Sequence, residues 1–137
     1  MRKEAKYLKE KVSSKRKKKL RPKTNNQQLY INTLSKADVT FCTGPAGSGK
    51  TAVSVGFACE QLINNIVEKI IITRPVIESG KGLGFLPGTF DEKIHPYMVP
   101  ILEEMRLYLG KAGLEKYRDS RIIEVCPLEY MRGRNFH

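Results

Sequence analysis

Apolar residues along this chain come in short runs separated by polar turns, and the spacing inside each run predicts its element. Val39-Thr40-Phe41-Cys42-Thr43 is a first β-like run and Lys69-Ile70-Ile71-Ile72-Thr73 a second. Three consecutive isoleucines suit a parallel strand covered on both faces. Between these runs, residues 51–63 carry helical periodicity and Asn64-Asn65 turns the chain. Strand, helix and strand at this spacing make a βαβ unit. Arg121-Ile122-Ile123-Glu124-Val125 predicts a third strand. Upstream, residues 24–34 read as a capped helix. Thr24 stands three residues before Gln27, as in a capping box, and Leu29, Ile31 and Leu34 supply apolar contacts. Residues 90–109 read as helical, with Pro96 and Pro100 predicting a break into two pieces. A short helix is expected over 114–118. The glycine-rich stretch 80–88 lacks the spacing and the strand-to-helix setting of a dinucleotide fingerprint.

Charge divides the chain unevenly. Residues 1–23 hold twelve Lys or Arg against Glu4 and Glu10, which is +10 of the net +11. The remainder is close to neutral, so two regions are expected: a basic arm over 1–23, flexible or weakly helical, and a folded unit over 24–137. Ala5, Leu8 and Val12 form only a faint apolar stripe in the arm, too small to fold alone. Such a block either attaches to nucleic-acid phosphates or is a solvated tail, and both readings stay open. No run of about 18 apolar residues predicts a membrane span, and no apolar stretch follows the basic start as in a signal peptide. A cytoplasmic protein is expected. Cys42, Cys59 and Cys126 fit no zinc-ligand spacing, and each lies in an apolar run, so all three are expected to be buried thiols.

The chemistry concentrates in Gly44-Pro45-Ala46-Gly47-Ser48-Gly49-Lys50-Thr51, a complete G-x-x-x-x-G-K-T phosphate-binding loop between the first predicted strand and the helix that follows. Its glycines let successive backbone N–H groups curl round phosphates. Lys50 is expected to reach the β- and γ-phosphates and the Thr51 hydroxyl to sit on Mg²⁺. The helix starting there turns its positive dipole end toward the anion.

A more specific resemblance lies in the order and spacing of seven elements: Thr24-x-x-Gln27, Gly44–Thr51, Ile72-Thr73-Arg74-Pro75, Glu78-x-Gly80, Leu83-Gly84-Phe85-Leu86-Pro87-Gly88, Pro96-Tyr97 and Tyr130-Met131-Arg132-Gly133-Arg134. Together they resemble the PhoH-like ATPase family, related to the nucleotide-binding core of superfamily-one helicases. His95 departs from the Asp that many members carry before Pro-Tyr, and no chemistry is assigned to it. The resemblance implies an α/β fold of P-loop, RecA type: a partial parallel sheet with flanking helices behind the basic arm. It implies ATP binding with Mg²⁺, ATPase activity linked to RNA or single-stranded DNA, and homo-oligomeric rings in the full-length family. Gln27 matches a glutamine that reads the adenine edge in related helicases. An amide, which both donates and accepts, suits that task; its alternative is the partner in the helix cap. Arg74, Arg132 and Arg134 are expected on the carboxyl edge of the sheet, where a guanidinium can grip nucleic-acid phosphate. Surface salt bridges are their alternative.

Hydrolysis also requires an acid that holds Mg²⁺ and one that orients water. The second predicted strand ends in Thr-Arg-Pro and the third in Cys-Pro-Leu, so neither supplies one. In the family that acidic strand follows Met-Arg-Gly-Arg, where this chain reaches His137. The expectation is a shortened P-loop unit whose first strand lacks its usual neighbour. Glu78 and Glu129 are weak candidates to replace the acid. An ATP-binding protein coupled to nucleic acid leads, with a non-catalytic nucleotide- and nucleic-acid-binding module as alternative. A small-molecule kinase lacks a recognisable lid, and a GTPase lacks its base-reading and switch motifs.

Overall fold

A computed structural model describes residues 2–7, 18–75 and 90–136. A helical turn over 2–7 precedes helix α1, Asn25–Lys36. Then come α2, Lys50–Ile63; strand β1, Ile70–Ile72; α3, Phe90–Leu109; α4, Lys111–Asp119; and β2, Ile123–Val125. A single 3₁₀ turn, Leu128–Tyr130, follows. Strands β1 and β2 pair in parallel, with Ile70 opposite Ile123 and Ile72 opposite Val125. Mixed helix and strand with a small parallel sheet is the α/β class.

The core lies among α2, α3, α4 and the two strands. Val55, Cys59, Leu62 and Ile63 of α2 meet Met98, Leu102, Met105 and Tyr108 of α3, with Leu114, Tyr117 and Ile123 closing the cluster. Those spacings of three and four place each set on one helix face. Gly56 lets the Tyr108 side chain of α3 pack on the backbone of α2. A Cβ there would lie 2.5 Å from the Tyr108 hydroxyl oxygen. Burial pushes the Cys59 thiol and the Tyr117 phenol each up to about 12, since a charged form would be left without water. The Tyr117 hydroxyl is buried with no hydrogen-bond partner among the described residues.

Three expectations need correction. The prolines do not divide residues 90–109: α3 is one helix of 20 residues with Pro96 and Pro100 inside it. Both prolines are exposed while Met98, Leu102 and Met105 face the core. The carbonyls they leave unpaired therefore lie on the solvent side, and packing of the opposite face holds the helix together. Residues 39–43 form no strand, and among the described residues they join no sheet. Val39 is 72% exposed and Phe41 92%. A strand exists only through a neighbour, and among the described residues β1 and β2 pair solely with each other. Cys42 is exposed for the same reason, whereas Cys59 and Cys126 are buried as expected.

Among the described residues no helix is long and apolar enough to cross a membrane. The glycine-rich stretch 80–88, with Glu78, lies outside the described residues.

Candidate nucleotide-binding site

The loop that begins at Gly44 leads from residues 39–43 into α2. Gly47 (φ 78°) and Gly49 (φ 90°) both take the left-handed conformation that side chains disfavour. Gly49 is the N-cap of α2. No acidic residue occupies the first turn of that helix, so the helix itself does not neutralise its positive end. Lys50 folds back over the loop. Its Nζ donates to the carbonyl oxygens of Gly44 at 2.6 Å and Pro45 at 2.7 Å. The Ser48 hydroxyl donates to Pro45 O at 2.7 Å, closing the same turn. Ala46 sits at the exposed tip of the loop, and Thr51 is exposed at the first turn of α2. The result is an open cradle carrying one fixed ammonium. Concavities lie between α3 and α4 and against the segment from Lys116 to Ile122.

Gln27 ties α1 to this loop. Thr24 Oγ1 accepts from Gln27 N at 3.1 Å, the expected cap bond. The Gln27 side chain departs from the simple capping box. Its Oε1 accepts from Lys23 N at 2.8 Å, one residue before the N-cap, and its Nε2 donates to Ser48 O at 3.1 Å. The amide nitrogen lies 2.7 Å from where a Cβ on Gly49 would stand. The left-handed glycine and the glutamine therefore occupy one another's space. Tyr30, one turn further along α1, places its hydroxyl against the side chains of Ser54 and Cys42. Partial burial raises its pKa.

Sequence reasoning missed how firmly the end of the basic arm is attached. Leu20 packs on the core and its N–H donates to Glu60 Oε1 at 2.7 Å. Lys18 Nζ bonds Glu104 Oε1 at 3.0 Å and stands 5.3 Å from the Tyr108 ring centroid. The Glu104 hydrogen bond raises the Lys18 pKa. The available signal was Leu20 itself, an apolar residue ending a run of five charged ones.

The three arginines separate. The carboxyl ends of β1 and β2 are joined where Cys126 N donates to Ile72 O at 2.9 Å and Leu128 N to Arg74 O at 3.2 Å. Arg74 and Arg132 are exposed near that edge. Arg134 bonds through Nη2 to Glu124 Oε1 at 2.5 Å, its Nη1 approaches Cys126 Sγ at 3.3 Å, and the guanidinium stacks 4.7 Å from the Phe136 centroid. Its geometry is that of the salt-bridge alternative. Lys69 reaches the other oxygen of Glu124 at 2.7 Å. Hydrogen bonds from Lys69 first and Arg134 second hold the Glu124 carboxyl below its ordinary range. Glu129 lies exposed in the 3₁₀ turn. Among the described residues no group of three His, Cys, Asp or Glu side chains could hold a metal ion.

The family model for PhoH-like protein matches residues 19–137. The chain belongs to the PhoH-like protein family. It is 42% identical to the PhoH-like protein of Synechocystis over 84% of this chain and 35% of that relative. With the Bacillus subtilis PhoH-like protein it shares 41% identity over 96% of this chain and 41% of the relative. With Protein PhoH of Escherichia coli K12 the identity is 40%, covering 82% of this chain and 32% of that protein. The chain thus spans about a third to two-fifths of the length of these curated relatives. The family match begins inside the basic arm, at the residues the structure attaches to the core.

Proposed function

We propose that this PhoH-like chain binds Mg-ATP on the loop from Gly44 to Thr51, within a P-loop unit of RecA type that couples nucleotide to RNA or single-stranded DNA. The observation that carries the reading is the closed turn around Lys50. Two loop carbonyls hold its ammonium 2.6 and 2.7 Å away, at the N-terminus of α2, directly after the left-handed Gly49. Those features fit a polyphosphate: a cation held in the loop, a helix start whose first N–H groups have no partner within the helix, and an aligned dipole. Lys50 would neutralise phosphate charge as a positioning cation, and the Thr51 hydroxyl is the group available to Mg²⁺. Magnesium, when bound, adds positive charge where negative charge accumulates on the phosphates. The +10 arm is the surface offered to nucleic acid, with Arg74 and Arg132 as further contacts.

One observation favours the second reading, a nucleotide-binding module without turnover. Neither β1 nor β2 delivers a carboxylate at its end: the residues there are Thr73, Arg74, Cys126 and Pro127. Titrating Mg-ATP into the full chain and its Lys50→Ala variant, alongside phosphate release, tests both. Binding that the variant loses, without release, is the expected result for these 137 residues. Release that disappears in the variant would assign hydrolysis to an acid inside the chain. Equal binding by both proteins would end the P-loop reading.

A further inference from the structure

Residues 18–24 touch both the core and the phosphate-binding loop. Lys18 is committed to Glu104 and Tyr108 of α3. Leu20 sits on α2: its N–H bonds Glu60, and its Cδ1 lies 3.0 Å from where a Cβ on Gly56 would stand. At the far end, Lys23 N–H bonds Gln27 Oε1 while Thr24 caps α1. Gln27 Nε2 then donates to Ser48 O and Ser48 Oγ to Pro45 O, and that last carbonyl also accepts from Lys50. A continuous series of contacts therefore runs from the arm to the lysine of the loop.

Lys19, Arg21 and Lys23 are exposed on this strap, and among the described residues none of them forms an ion pair. Pro22 favours extended backbone at Arg21, and Thr24 is extended at φ −136° and ψ 162°. Alternate residues of a chain drawn out in this way stand about 6–7 Å apart, close to the repeat between phosphates along a single strand. Tethering matters as well. A cation on a fixed strap has already lost part of its freedom, so seating a phosphate there costs less ordering than on a free tail.

Resting on the nucleotide and nucleic-acid reading above, we propose that Lys19, Arg21 and Lys23 form a track for successive phosphates of single-stranded nucleic acid, coupled to the loop through Gln27. A strand on the track holds the strap, the start of α1 and, through Gln27, Ser48. The loop then has less freedom to lose when it closes round a polyphosphate. Linkage makes the effect mutual: nucleotide tightens the strand by the factor with which the strand tightens nucleotide.

Binding of the full chain to a short labelled oligouridine, read by fluorescence anisotropy over a series of salt concentrations, tests both parts. Each titration is run alone, with saturating Mg-ATP, and with saturating Mg²⁺ tripolyphosphate, which carries no base. Lys19→Ser, Arg21→Ser and Lys23→Ser combined should reduce the slope of log affinity against log salt by about 2, since each single-strand phosphate contact contributes about 0.7. Lys36→Ser, Lys111→Ser and Lys116→Ser combined remove the same charge from exposed positions elsewhere and should leave the slope as in wild type. In wild type, ATP and tripolyphosphate should each tighten the strand about fivefold. Gln27→Ala should bring that ratio to about one with tripolyphosphate. Gln27→Glu, which keeps the acceptor for Lys23 N–H and loses the donor to Ser48 O, should do the same and serves if the alanine variant folds poorly.

An equal fall in slope for both triple variants would overturn the track, reducing it to net charge. So would a duplex of the same length bound as tightly as the single strand. A strand affinity that nucleotide leaves unchanged or weakens would overturn the coupling, as would a ratio that survives in both Gln27 variants. Failure of the nucleotide reading looks different. Tripolyphosphate would then bind wild type and Lys50→Ala equally poorly while the salt slope still separated the two triple variants, ending the coupling and retaining the track.

Discussion

The two sides of α2 are built on different principles. Toward α3, the helix buries Val55, Cys59, Leu62 and Ile63 in a continuous apolar cluster. Outside that cluster α2 also buries Val53, but α1 has no buried residue, and the segment leading into the loop exposes Val39 and Phe41. Order on that side comes from side-chain hydrogen bonds to backbone, namely Thr24 to Gln27, Gln27 to Lys23 and Ser48, and Lys50 to Gly44 and Pro45. Burial is cooperative and global, whereas such bonds are local and each contributes about 1 kcal/mol. The loop from Gly44 to Thr51 is therefore a locally specified structure hung on a globally specified one.

The sharpest way to break this contrast is to remove Leu62, fully buried at the centre of the cluster. Leu62→Ala should cost about 2–5 kcal/mol, read from urea unfolding, because a cavity replaces a packed side chain. Since α2 carries the loop, nucleotide binding should disappear together with the global fold as denaturant rises. Nucleotide binding that outlasts the core transition would show that the cradle is ordered independently of it.

Thr24→Ala probes the other side with a smaller effect. Loss of an N-cap hydroxyl costs about 0.5–2 kcal/mol of helix stability. With no buried residue in α1, that loss should remain local. Amide exchange at Gln27 and Gln28 should accelerate about fivefold or more, while the urea midpoint stays in place. A midpoint shift as large as the exchange effect would mean that α1 is integral to the core.

These outcomes bear on what could be read in advance. The loop was legible because its chemistry is written in contiguous residues, and the limits expected for α2 differ from those observed by one residue. The cap at Thr24 was legible for the same reason. Residues 39–43 were not: Val39-Thr40-Phe41-Cys42-Thr43 has strand composition, but pairing is a property of neighbours rather than of the segment. The continuity of α3 was hidden because a proline's cost depends on which face it occupies, and Pro96 and Pro100 share the exposed one. The tie from Gln27 to Ser48 spans 21 positions, beyond any local pattern.

Glu124 tests the packed side at its polar rim, where Lys69 and Arg134 converge on one carboxylate. Its folded-state pKa is depressed. The associated stability is thus present above the unfolded carboxylate value, about 4.3, and is lost as pH falls through the lower folded value. At neutral pH the Lys69–Glu124 pair should contribute below ~1 kcal/mol, as partly exposed pairs do. Wild type should exceed Glu124→Gln in stability at pH 7, and the gap should close on acidification below about pH 4.3. A gap constant down to pH 2 would mean the carboxylate is not paired in the folded chain.

The smallest effect is the most discriminating. Phe41 is 92% exposed beside Val39 at 72%, in a segment that among the described residues joins no sheet. An aromatic ring that buries nothing in the folded state contributes nothing by burial. Phe41→Ser should therefore change the unfolding free energy by no more than about 0.5 kcal/mol, the range of surface substitutions. Nucleotide affinity should also hold, because the loop is fixed through Gln27 and Lys50 rather than through the strand that feeds it. A loss of several kcal/mol, the scale of a buried phenylalanine, would place the ring against a covering surface in solution. The contrast between the two sides of α2 would then belong to the isolated chain and not to its working form.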